Sequence, residues 1–261
     1  MRDPLEGITA DGMITTGVGR HRVPTAFEPV VDAAREGIAG TDPDAAVYLY
    51  GSVATGQARP GRSDVDLLAI GLNRDVAGRL ARMLSARFAA TCRGVEIGSA
   101  HPDDLTGERD EAYGFRVFLR HYCVHLAGSD RRRPGHDFPA DARAARKLNG
   151  DIARAAGRWR EALADTDPPG PLAVRVARKT LLAVAGLVSV HDGTWTTDRA
   201  GAARRWGEIE PALADGLAVL ADWTDRVPDV DRRTVDRFLL SAVDPVIERF
   251  EDRIGLWSVP S

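Results

Sequence analysis

Two aspartates separated by one residue, Asp64 and Asp66, are the part of this sequence best equipped for chemistry. In an extended strand, residues two apart project to the same side, so the pair sets two carboxylates side by side. Like charges held that close repel. A divalent cation that neutralises both relieves the repulsion, and an all-oxygen donor set selects a hard ion such as Mg²⁺. Upstream, Gly51 lets the backbone approach a ligand closely, and Ser52 adds a hydroxyl and an amide at a predicted helix start, an arrangement suited to phosphate. Gly56 permits a tight connection back to the aspartates. A phosphate cradle facing a metal pair is the equipment of phosphoryl transfer, in which positioning and charge neutralisation supply most of the catalysis. Ser63 reads two ways, as a further ligand to phosphate or as the turn residue that opens the strand. The plain alternative for the aspartates themselves is a solvated strand end.

These residues need elements to hold them. Ala46 to Tyr50 is a short apolar and aromatic run of strand type ended by Gly51, and a second strand is predicted over Val65 to Gly71, after a loop carrying the Pro60-Gly61 turn signal. Ahead of them, Phe27, Val30, Val31, Ala34 and Ile38 mark one face of a helix that Gly40 is expected to stop. Leu80, Met83, Leu84 and Phe88 give helical periodicity over Val76 to Ala90, and Val95 to Ile97 reads as a third strand. Phe115 to Leu126 could hold one more strand or a passage from helix to strand. After Arg131-Arg132-Arg133-Pro134-Gly135 the character changes: Asp141 to Ala164, Leu172 to Val190, Arg199 to Trp206, Pro211 to Trp223 and Arg232 to Ile254 are all predicted helical. The fold class is therefore α+β, a small mixed sheet followed by an all-helical bundle.

Gly51-Ser52, Gly56 and Ser63-Asp64-Val65-Asp66, in that order, resemble the signature of the DNA polymerase β-like nucleotidyltransferase superfamily. The resemblance implies a third carboxylate on a later, neighbouring strand, and Glu96 is its match, either completing the metal site or acting as general base on an acceptor hydroxyl. A small nucleotidyltransferase domain followed by helices is similar to the aminoglycoside adenylyltransferases, a likeness reaching from about Ala26 to the end of the chain. Residues 1–22, Gly- and Thr-rich with weak periodicity, read as an irregular arm, followed by a nucleotidyltransferase domain over 23–135 and a C-terminal helical domain over 136–261. Gly128 and Asp130 match the segment that closes the first domain in that family; Asp130 either binds nucleotide or caps a turn. Arg199 stands where a lysine commonly reaches the nucleotide phosphates, and replaces a point charge by a planar fork. The implied donor is ATP with Mg²⁺, and the implied acceptor a small aminoglycoside-like hydroxyl compound. One departure is Asp165-Thr-Asp-Pro-Pro-Gly-Pro171, where streptomycin-type enzymes carry an aromatic and acidic stretch. The alternatives are a nucleotidyltransferase acting on protein or RNA, and a non-catalytic module that senses nucleotide or binds a partner.

Composition narrows the field further. The chain has 35 basic and 38 acidic residues, a net charge of -3, and so no global basic field for nucleic acid. Two cysteines, Cys92 and Cys123, have no metal-ligand spacing and are too few for a disulfide scaffold, which points to a reduced, cytoplasmic setting. No run of about 18 apolar residues is present to span a bilayer. Walker-type, nucleophile-elbow and zinc-helix motifs are missing. The stretch from His101 through Asp103, Asp104, Glu108, Asp110 and Glu111 reads as solvated surface or, alternatively, as acidic lining for a polycationic acceptor. Trp195, Trp206 and Trp223 read as core, and His121, His125 and His191 as structural.

Overall fold

The structure, a computed structural model, describes residues 3–164 and 168–257. Its contacts divide into two units, one built mainly of residues 15–137 and the other of residues from 138 onward together with 6–14. β1 (Gly7–Ile8) and β2 (Ile14–Thr15) pair as a minimal ribbon within the first 22 residues.

In the first unit α1 (Glu28–Thr41) opens with Pro29 in its first turn and buries Val30, Val31, Ala34 and Ile38. It does not stop at Gly40. It runs on to Thr41, whose hydroxyl donates to the Gly37 carbonyl, and the chain leaves the helix at Asp42. Nothing crowds Gly40, so a glycine there costs the helix little beyond its intrinsic propensity. β3 (Ala46–Tyr50), the single turn α2 (Gly51–Ala54), β4 (Val65–Ile70), α3 (Arg74–Arg87), β5 (Val95–Ala100), α4 (Asp110–Tyr122) and β6 (Val124–Ala127) follow. The 115–126 stretch is thus a passage from helix into strand.

The four longer strands form one mixed sheet in the order β5-β4-β3-β6. β3 runs antiparallel to β4 and β6, whereas β4 and β5 are parallel. A parallel pair requires a crossover, and α3 supplies it, capped at its start by the Asn73 side chain, which accepts from the Asp75 and Val76 amides. The alternation of the strands divides two cores. Val47, Leu49, Val65, Leu67 and Ala69 pack with residues of α1 and α3. Ala46, Tyr48, Leu68 and Ile70 pack on the other side with Leu119 and Cys123. Cys92 and Cys123 are buried free thiols.

The second unit is helical: α5 (Ala142–Asn149), α6 (Ile152–Ala164), α7 (Pro169–Asp192), α8 (Arg199–Ile209), α9 (Ala214–Asp225), α10 (Arg232–Phe238) and α11 (Asp244–Arg253). α7 is the central helix, contacted by α5, α6, α8, α9 and α11. Trp195, Trp206 and Trp223 are buried. The single helix expected over 141–164 is broken at Gly150, because the Gly150 carbonyl accepts from the Trp257 backbone amide instead of continuing the ladder. A Cβ on Gly150 would lie 2.6 Å from Trp257 Cδ1, so the break is packed shut. The helix expected over 232–254 widens into a π turn at Leu239–Val243, ahead of Pro245, which has no N–H to continue the regular pattern. Of the departure segment 165–171, residues 165–167 lie outside the described residues. Among the described residues, no helix is long and apolar enough to cross a membrane.

Candidate active site

The register of the sheet builds the site. Asp66 pairs with Tyr50 on β3 and with Glu96 on β5, so Tyr50, Asp66 and Glu96 stand side by side across three strands and on one face. Asp64, two residues before Asp66, is directed to the same side. Asp64 and Asp66 are half-buried and Glu96 is exposed. Burial first, then the charges of Asp66 and Glu96, push the Tyr50 phenol above its ordinary range, so Tyr50 remains a neutral wall beside the carboxylates.

Gly51 leaves β3 with φ +73°, a conformation that L side chains rarely adopt, and a Cβ there would lie 2.3 Å from Asp66 Oδ2. The turn can therefore touch the carboxylate only as glycine. α2 lasts one turn, and two residues past its end stands Gly56, φ +76°, where a Cβ would meet the Arg22 carbonyl at 2.9 Å. Ser63 is engaged in closing the loop: its Oγ accepts from the Arg59 amide at 2.9 Å, and its own amide donates to the Arg59 carbonyl.

Arg93 is a residue that sequence reasoning did not single out. Its amide donates to the Ser63 carbonyl and the Val65 amide donates to the Gly94 carbonyl, which prolongs the β4–β5 pairing back past the strand ends and sets Arg93 beside Asp64. The guanidinium grips both carboxylate oxygens, Nε to Oδ1 at 2.9 Å and Nη2 to Oδ2. The hydrogen bonds that Arg93 donates to Asp64, with the Asp64, Glu96 and Asp66 charges behind them, raise the Arg93 pKa further. In a chain carrying 35 basic residues, one arginine between Cys92 and Gly94 gives no signal in the sequence.

The donor chemistry here suits a hard divalent ion: Asp66 and Glu96 are paired across adjacent strands, Asp64 stands just ahead of β4, and no soft ligand is among them. As the side chains stand, no three Asp, Glu, His or Cys among the described residues are grouped closely enough to hold an ion. The Arg93 fork engages both oxygens of Asp64.

Of the remaining candidates, Gly128, Asp130 and the acidic stretch belong to the first unit and Arg199 to the second. β6 runs from the level of Leu49 to that of Val47, away from Tyr50, so Asp130 follows the end of the sheet opposite to the carboxylates. The Tyr48 hydroxyl donates to Asp130 and accepts from the Arg131 amide, while Arg132 forks onto the Asp130 carboxylate. Partial burial raises the Asp130 pKa, but the bonds from Arg132 outweigh it and leave the value at about 2. Gly128, φ +74°, packs so tightly that a Cβ would lie 2.3 Å from the Ala45 carbonyl oxygen. Arg199 opens α8 in the helical unit, its Nε donating to the Arg178 carbonyl at 3.2 Å. In the acidic stretch, the His101 amide donates to Asp104 and the Asp103 amide donates to His101 Nδ1, a reciprocal cap on a short turn, while Asp110 is buried at the start of α4. His121 is buried, and His125 tilts against Tyr48 with ring centroids 5.3 Å apart.

Comparison with known proteins places this site in context. Residues 32–89 match a family model described as nucleotidyltransferase domain. That stretch contains Gly51, Ser52, Ser63, Asp64 and Asp66 and stops short of Arg93 and Glu96. The fold is similar to that of spectinomycin adenyltransferase AAD(9) from Enterococcus faecialis, solved with ATP and spectinomycin. The TM-score is 0.55 at 9% sequence identity, over 85% of this chain and 98% of that one. A search of curated proteins returns no match.

Proposed function

We propose, from the match of residues 32–89 to a nucleotidyltransferase domain, that the protein moves a nucleoside monophosphate from a nucleoside triphosphate, ATP, onto a hydroxyl of a small aminoglycoside-like acceptor. The observation that carries the reading is the row Tyr50, Asp66 and Glu96 across three strands with Gly51 turned against Asp66. The likeness to a fold that binds ATP and spectinomycin supports the donor and the class of acceptor.

In this reading Asp64, Asp66 and Glu96 hold Mg²⁺, which would supply charge neutralisation for the triphosphate and its departing pyrophosphate. Gly51 and Ser52 bring backbone amides and a hydroxyl to the phosphates, and Gly51 is the residue that lets them come this near to Asp66. The acceptor hydroxyl oxygen forms the new bond to the α-phosphorus in line with the bond that breaks, and that pair of electrons leaves with pyrophosphate. In the same reading Glu96, the most exposed of the three carboxylates, takes the hydroxyl proton on a carboxylate oxygen, its exposure being what supports that role beside the metal. Tyr50 closes one side without adding charge. Ser63 and Arg199 enter the proposal as further nucleotide contacts, Ser63 by its place beside Asp64 and Arg199 by family resemblance, whereas Asp130, bound to Tyr48 and Arg132 past the other end of the sheet, is left to a structural role.

The test is divalent-metal-dependent pyrophosphate release from each ribonucleoside triphosphate, with and without a panel of aminoglycosides and spectinomycin. Release from ATP stimulated by one acceptor is the expected result. Tight triphosphate binding without release against any acceptor, protein and RNA included, would favour a nucleotide-sensing module instead.

A further inference from the structure

The reading of Asp64, Asp66 and Glu96 as a metal-holding set leaves Arg93 unused, and the inference drawn from Arg93 rests on that reading. Arg93 is the only basic side chain bonded to Asp64 in the described structure, and it binds in a fork that takes both oxygens. Its side chain is 61% exposed while that of Asp64 is 16% exposed, so the arginine is the partner with room to move. The arginine fork fits phosphate as well as it fits carboxylate. A triphosphate bringing a metal to Asp66 and Glu96 therefore offers the guanidinium a replacement acceptor as it leaves Asp64. A free divalent ion offers it none and must expel it into water.

We propose that Arg93 is the internal counter-ion of this carboxylate set: it holds Asp64 until a triphosphate arrives and then transfers its fork to a phosphate oxygen, so that divalent metal and nucleotide bind as a coupled pair. No covalent step is involved; the exchange is one ion pair for another. By linkage, each ligand tightens the other by the same factor.

The experiment follows free Mn²⁺ by electron paramagnetic resonance during titration of wild type, Arg93→Gln, Arg93→Lys and Asp64→Asn, each with and without the α,β-methylene analogue of ATP. Without nucleotide, Arg93→Gln is expected to bind Mn²⁺ about tenfold more tightly than wild type, a difference of about 1.4 kcal/mol. The analogue should then tighten Mn²⁺ binding less in Arg93→Gln than in wild type. Arg93→Lys, which keeps the charge and loses the fork, should fall between them and guards against a folding defect in the glutamine variant. Equal or weaker Mn²⁺ binding by Arg93→Gln, with Asp64→Asn losing the ion, would overturn the counter-ion role and leave the metal set intact. Identical Mn²⁺ binding by wild type and Asp64→Asn, with and without the analogue, would remove the metal set itself.

Discussion

A Cβ on Gly51 would lie 2.3 Å from Oδ2 of Asp66, so the turn that leaves β3 and the carboxylate of β4 are in contact with no room between them. Gly51→Ala therefore meets two obstacles, the left-handed backbone and the collision. The backbone term costs about 1–2 kcal/mol, and the collision displaces Asp66. A displacement of about 1 Å at a reacting site is worth about 100-fold. The variant is expected to stay folded by circular dichroism and to lose at least that factor in kcat/KM for pyrophosphate release.

Asp64→Asn and Asp66→Asn each remove one charge from the proposed metal-holding set without changing side-chain size. Transfer should fall on the order of 10³-fold in each. Both residues sit at the start of a strand and are half-buried, so the thermal midpoint should move by no more than about 4 °C. Turnover at the wild-type rate in either purified variant would contradict the assignment.

His121 gives a pH dependence of stability. Burial lowers its pKa to about 4 in the fold, against about 6.5 in an unfolded chain. Between those values the unfolded chain binds the extra proton, so stability increases with pH across that window and is complete above it. The full window is worth roughly 3 kcal/mol. Urea midpoints measured at pH 4.5 and 7.5 should differ in that direction, and His121→Phe should flatten the profile.

Tyr48, Asp130 and Arg132 form a linked group. Removing the Tyr48 hydroxyl leaves the Arg131 amide without its acceptor and Asp130 without its phenol donor. Tyr48→Phe is expected to cost about 1–3 kcal/mol. Asp130→Ala should also act first on stability in urea. A raised KM for triphosphate at unchanged stability would instead put Asp130 at the nucleotide.

The sheet and its carboxylates were legible because each depends on short-range rules. Asp64 and Asp66 share a face through the strand repeat, and Gly51 and Gly56 mark turns that other residues cannot make. What was not legible depends on partners distant in sequence. Gly150 reads as an ordinary glycine until Trp257 takes its carbonyl, 107 residues away. The π turn before Pro245 follows from one missing amide that periodicity does not register. Arg93 acquires its place only when the Ser63 carbonyl receives its amide. Gly40 was misjudged for the opposite reason, since a glycine signal was read where no turn was required.

The parallel pairing of Asp66 with Glu96 ties the timing of the site to the folding of the unit. An antiparallel hairpin could bring two carboxylates together locally, but these two meet only after the chain has crossed the sheet and α3 has docked through Ala77 and Leu84. Contacts of that separation in sequence form against loop-closure entropy and come late. A chain arrested before α3 docks would carry Asp64 and Asp66 without Glu96 and without the Arg93 amide on Ser63. Nascent or partly unfolded copies would thereby lack the complete row of Tyr50, Asp66 and Glu96.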